Sequence, residues 1–70
     1  MAHDFETEQK AEWIEAELTN NESASDQELS LYFMNEGNMD KESVIIIMRQ
    51  RAKALKNPLD FKLELEGVAF

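Results

Sequence analysis

Five apolar residues in succession, Val44-Ile45-Ile46-Ile47-Met48, followed directly by Arg49-Gln50-Arg51-Ala52-Lys53-Ala54-Leu55-Lys56, set the strongest limit on how this chain can fold. No other run in the sequence is as concentrated in apolar side chains, so a core has to form around it. A run this short suits a buried strand or a helix, and periodicity alone does not separate them. The flanks do. Asp40 can accept from the free amides at a helix start, Glu42 falls in the first turn, and the bases gather in the second half. Acid first and base last complements the helix dipole. Pro58 cannot continue the helix and disfavours helical dihedrals at Asn57. These signals predict one helix over residues 41–56. At about 100° per residue, Val44, Ile47, Met48, Arg51, Ala52 and Leu55 share a broad face, with Ile45 on its edge. Arg49, Lys53 and Lys56 form a stripe on the other side. Ile46 falls among these cations, so it is either exposed or covered by another part of the chain.

The residues before this helix read as two more. The first spans about 4–19, with Asp4 as a possible N-cap and no glycine or proline inside. Ala11, Ile14 and Leu18 make a narrow core-facing stripe, while Phe5, Trp13 and Ala16 lie on a different side. Glu8, Glu12 and Glu15 form an acidic row, and like charges at that spacing weaken an isolated helix. Arg49, Lys53 and Lys56 have the same repeat, so the two rows could oppose one another between helices or between subunits. A polar connection, residues 19–24, leads to Ser25-Asp26-Gln27-Glu28, which fits a capping box. The second helix, about 26–36, carries Leu29, Tyr32 and Phe33 on one face and Met34 off it. It stops at Gly37, read as the left-handed residue that ends many helices. Asn38-Met39-Asp40 then turns into the central helix, making an αα-hairpin.

After Pro58, Leu59, Phe61, Leu63 and Leu65 alternate with Asp60, Lys62, Glu64 and Glu66. A period of two favours a strand over about 59–66. The alternative is a short helix with Asn57 as N-cap and Pro58 in its first turn. A lone strand cannot satisfy its own backbone groups, so its natural partner is the same strand of a second copy or a sheet edge on a target. Leu59, Phe61, Leu63 and Leu65 are therefore the candidate dimer interface. The expected fold is mainly α: a small three-helix domain, one helix and then an αα-hairpin, with a C-terminal extended or β segment.

Seventy residues make one domain, and a chain this short buries only about 60% of its unfolded surface. Domains of this size lean on disulfides, a metal or a second subunit. There is no cysteine, and the one histidine is His3, so disulfides are excluded and a metal is not expected. A homodimer is the remaining source of extra stability. The first residues lack the basic and apolar regions of a signal peptide, and no run approaches the roughly 18 apolar residues of a membrane span. The expectation is a cytoplasmic protein without a membrane partner, in which Asn21-Glu22-Ser23 matches the glycosylation pattern only incidentally.

Function has to be read from what the charge and the spare apolar residues allow. Net charge is −8, and residues 1–40 hold eleven acids against one base, whereas residues 41–57 hold five bases against one acid. Enzymes need convergent groups of matched pKa in a pocket, and with no cysteine, no internal histidine and no phosphate-binding glycine loop, catalysis is not expected. No cofactor is implied. Asn35-Glu36-Gly37-Asn38-Met39-Asp40 has oxygens and a glycine but not the spacing of a calcium loop. A helix-turn-helix protein reading DNA through Arg49, Lys53 and Lys56 is conceivable. However, the net charge opposes phosphate binding, and the first half of the recognition helix is apolar and acidic. Trp13, Ile46 and Met34 lie off the main apolar faces, and aromatic side chains within a polar rim are typical interface anchors. Together these features suggest a small acidic protein–protein interaction module: a regulator, inhibitor or adaptor that meets a basic surface. Its candidate interface is Trp13, Glu8, Glu12, Glu15 and Ile46. The alternatives are a mimic of nucleic acid that blocks a DNA- or RNA-binding protein and, second, a direct DNA-binding regulator.

Overall fold

The chain folds as a small, mainly helical domain. The computed structural model describes residues 5–69, with side chains from Glu8 onward. Helices α1 (Phe5–Asn20) and α2 (Asp26–Glu36) precede a third helical unit in two pieces, α3 (Lys41–Met48) and α4 (Arg51–Lys56). Asp4 as N-cap, the Phe5 side chain and His3 lie outside the described residues. α1 packs on α4 and α2 on α3. Ile14 and Leu18 of α1 and Leu29 and Phe33 of α2 meet Val44, Ile47 and Ala54, and all of them are buried. Each such leucine, isoleucine or phenylalanine contributes about 1.5–3 kcal/mol through removal from water.

Local chemistry sets the helix starts. Ser25 and Glu28 form the reciprocal capping box: Glu28 N–H donates to Ser25 Oγ at 3.1 Å and Ser25 N–H to Glu28 Oε1 at 2.9 Å. Asp40 caps α3 by accepting from Ser43 N–H at 2.9 Å. The end of α2 differs from the expectation. Gly37 has right-handed dihedrals (φ −88°, ψ −8°), and the positive φ of the turn falls on Asn38, at 54°. Asparagine tolerates that region, so the turn needs no glycine for its backbone. Gly37 is required by space instead. A Cβ there would lie 2.6 Å from Phe33 O and 2.9 Å from Trp13 Cζ3.

The expected single helix over 41–56 is interrupted at Arg49–Gln50. Gln50 N–H reaches back three residues to Ile47 O, at 3.0 Å, and Gln50 Nε2 takes Ile46 O instead, at 3.3 Å. The side-chain amide thus occupies the carbonyl that a regular turn would have given to the Gln50 backbone. The broad apolar face is also buried unevenly: Val44, Ile47 and Arg51 are inside, Met48 and Leu55 are half-buried, and Ala52 is exposed.

Arg51 is the polar centre of the molecule. Only 7% exposed, it donates to Asn21 O at 2.9 Å, Ala24 O at 2.6 Å and Asp26 Oδ1 at 2.6 Å. The guanidinium therefore fastens the α1–α2 connection onto α4. Within that connection Asn21 Oδ1 also accepts from Ala24 N–H, at 3.2 Å.

After α4, Asn57–Asp60 makes a turn and residues 61–65 run without helix or β-ladder. The alternation shows in burial: Phe61 is buried and Leu63 and Leu65 are half-buried, while Lys62, Glu64 and Glu66 are exposed. In place of strand neighbours, side chains hold the backbone. Leu63 N–H donates to Glu15 Oε2 (2.9 Å), Glu64 N–H to Gln50 Oε1 (2.8 Å), Gln50 Nε2 to Glu64 O (2.8 Å) and Ala69 N–H to Ser43 Oγ (2.8 Å).

Two stability measurements check these assignments. Arg51→Ala strands two carbonyls and removes a packed stem, so chemical denaturation should show a loss of about 3 kcal/mol. Asp26 is 84% exposed, and Asp26→Asn should cost no more than about 1 kcal/mol. Equal losses would mean that Arg51 acts only as an ion-pair partner. Hydrogen bonds from the Ser25 backbone, and then its side chain, hold the Glu28 carboxyl below its ordinary 4.5. A depressed carboxyl stabilises the fold above the unfolded value and loses that effect as pH falls through the folded one. The stability gap between the parent chain and Glu28→Ala should therefore be full near pH 6 and should shrink below pH 4.5. A gap constant down to pH 3 would contradict the cap.

Candidate interaction surface

Aromatic residues from two helices build a partly exposed apolar patch. Trp13 of α1 stands with its ring centroid 5.4 Å from those of both Tyr32 and Phe33 of α2, edge-on to Phe33 at 86° and tilted to Tyr32 at 55°. Phe33 is the buried member and Trp13 is half-buried. Tyr32 remains 40% exposed, and Leu31 beside it 47%. The T-shaped pair and the tilted pair fix the indole, since aromatic edges and faces attract in these geometries. Gly37 closes the other side, because only a residue without Cβ leaves room for the indole edge.

Carboxylates frame this patch. Glu28 and Glu36 lie one turn to either side of Tyr32 on the exposed face of α2, and Glu12 is exposed beside Trp13 on α1. From Asp26 to Glu36 the helix carries three acids and no base. The result is a ring of negative charge around a half-open aromatic pair.

The other residues singled out from the sequence go to different places. Glu8 is exposed on α1. Glu15 is turned to the tail, accepting from Leu63 N–H. Ile46, which fell among the cations, is half-buried beneath the tail's last turn: a Cβ at Gly67 would lie 3.0 Å from Ile46 Cδ1. Gly67 has φ 84°, in the region that favours glycine, and Val68 N–H closes the turn on Leu65 O at 3.0 Å. Of the candidate dimer residues, Phe61 and Leu63 pack into their own chain's core, Leu65 is half-buried, and Leu59 stands 99% exposed on the turn. Arg49, Lys53 and Lys56 lie exposed as a stripe, yet none is ion-paired with Glu12 or Glu15. The sequence pattern gives Leu31 no role and places Tyr32 on the core face, whereas both are exposed. The pattern contained a cue, because Leu29 and Phe33 are four residues apart while Leu31 sits about 200° from Leu29.

Open grooves lie elsewhere on the described surface. One, of about 440 Å³, runs between the α1–α2 connection and the half-buried Met48 and Leu55. Another, of about 430 Å³, lies beside the 57–60 turn over Phe61. Among the described residues, no three His, Cys, Asp or Glu side chains are placed to hold a metal ion, and no helix is long and apolar enough to cross a membrane. No family model, curated protein or solved structure matches the chain.

Gly37→Ala should push the indole out of its seat. The clash with Phe33 O is with backbone and cannot be relieved by a rotamer, so overpacking should cost about 1–3 kcal/mol. Tryptophan emission should shift to longer wavelength in the folded state. Unchanged emission and an unchanged melting temperature would contradict the packing described for Trp13.

Proposed function

We propose that this is a cytoplasmic protein-binding module, a regulator or inhibitor that covers a basic surface of another protein with the α1–α2 face. The observation that carries the reading is Tyr32, left 40% exposed on a fixed Trp13 ring and ringed by carboxylates. A rigid aromatic pair offers a large contact area at little entropic cost, and its ring faces attract lysine and arginine side chains. The surrounding negative charge speeds encounter with a positive surface and disfavours acidic ones. Arg51 is used internally, and Arg49, Lys53 and Lys56 belong to α4 and the turn before it, so that of the seven cations Lys10 is the one on α1 and none is on α2.

Affinity capture with the full chain as bait, at low and high salt, tests the reading. A specific partner should be recovered at low salt and should carry a basic surface. Its dissociation constant should rise at least tenfold with Tyr32→Ala and fall off with ionic strength. Leu31→Ser is a milder change on the same face and should weaken binding without altering the melting temperature. A partner held equally well by all three chains, independent of salt, would place the interface elsewhere.

A further inference from the structure

The segment after the 57–60 turn behaves as a detachable unit. Among the described residues, its side-chain hydrogen bonds to the helices run to Glu15 for Leu63, Gln50 for Glu64 and Ser43 for Ala69. Its apolar residues Phe61, Leu63 and Val68 pack on the same helices. None of these contacts depends on which chain supplies the segment. What decides that is the turn alone, Asn57-Pro58-Leu59-Asp60, closed by a single hydrogen bond from Asp60 N–H to Asn57 O at 3.2 Å.

Two further features mark this turn as a place where copies meet. Leu59 is 99% exposed, with no apolar neighbour in its own chain to cover it. Beside it lies the 430 Å³ groove, where Lys53 and Lys62 are balanced by Asp60 and Glu64. The chain carries a net charge of −8, and a charge-balanced patch repels a copy less than its acidic surfaces do.

We propose that two copies of this chain exchange residues 61–69, with the 57–60 turn opening as the hinge and the two Leu59 side chains meeting where the chains cross. Exchange of an identical element is a low-cost route to a dimer, because the closed monomer and the exchanged dimer share every contact except those at the hinge. The balance between them is set by protein concentration and by hinge length. Pro58 stiffens the turn and limits the ways in which it can reverse direction.

Light scattering on three chains tests this: the parent, a short-hinge variant lacking Asn57 and Pro58, and a long-hinge variant with three glycines inserted after Leu59. At one fixed concentration the dimer fraction should rise in the short-hinge chain, which cannot fold back, and fall in the long-hinge chain. In dimers assembled from isotope-labelled and unlabelled chains, the Leu63 and Glu64 amides should show nuclear Overhauser contacts to Glu15 and Gln50 of the other copy. Three monomers, a dimer fraction that ignores hinge length, or contacts that stay within one chain would each overturn the proposal. Loss of the dimer in Leu59→Ser without any effect of hinge length would show a plain surface contact instead.

Discussion

The guanidinium of Arg51 is the interaction on which the arrangement of the other parts depends. A helical protein of this size has no sheet to receive the backbone groups of its connections, and those groups need partners wherever they leave water. Arg51 supplies two carbonyls of the α1–α2 connection and the carboxylate of Asp26 from one buried position. Burying a charge is tolerable only when its donors are used, and here both terminal nitrogens are, although Nε has no partner. The same stretch performs the equivalent task for the tail. Gln50 and Ser43 bind the backbone of Glu64 and Ala69, so side chains on and between α3 and α4 stand in for strand neighbours.

This inward use of the third helical unit determines what remains outward. With Arg51 and Gln50 engaged and Ile46 beneath the Gly67 turn, two outward features carry the proposed contacts, apart from the exposed Ile45 and the stripe of Arg49, Lys53 and Lys56. One is the acidic aromatic face of α1 and α2. The other is the turn at Leu59 with its balanced charges. The first is the surface proposed for an oppositely charged partner and the second the one proposed for a copy of the same chain, so the two proposed roles do not compete for surface. An exchanged dimer would carry two acidic faces and could bind a repetitive or dimeric partner with increased avidity.

Much of the helical framework was legible because its signals are local. Ser25 and Glu28 announce a helix start within four residues, Asp40 does so for the next, and Ile14 with Leu18 mark one buried stripe. The alternation reads correctly as alternating burial from Phe61 to Glu66, though not at the exposed Leu59, and not as strand pairing, because a period of two says which side faces in and nothing about what bonds the backbone. The break at Gln50 and the role of Arg51 depend on acceptors 14 to 30 residues away, which no window of sequence contains. Gly37 was recognisable as a stop, but its cause, the indole of Trp13, lies on another helix. For the proposed interaction face, Trp13 is surplus to its own stripe in the sequence, whereas Tyr32, which spacing places on the face of Leu29 and Phe33, stands 40% exposed.

Amide hydrogen exchange along the tail, followed by nuclear magnetic resonance, tests most directly whether side chains replace a ladder. A strand in a sheet leaves its amides bonded at every second residue. Side-chain capture instead protects the consecutive amides of Leu63 and Glu64, and that of Ala69, while Lys62 and Leu65 exchange freely. Protection of that neighbouring pair is the expected result. Protection alternating along residues 61–65, or none at all, would contradict the idea that this part of the fold is held by Glu15, Gln50 and Ser43.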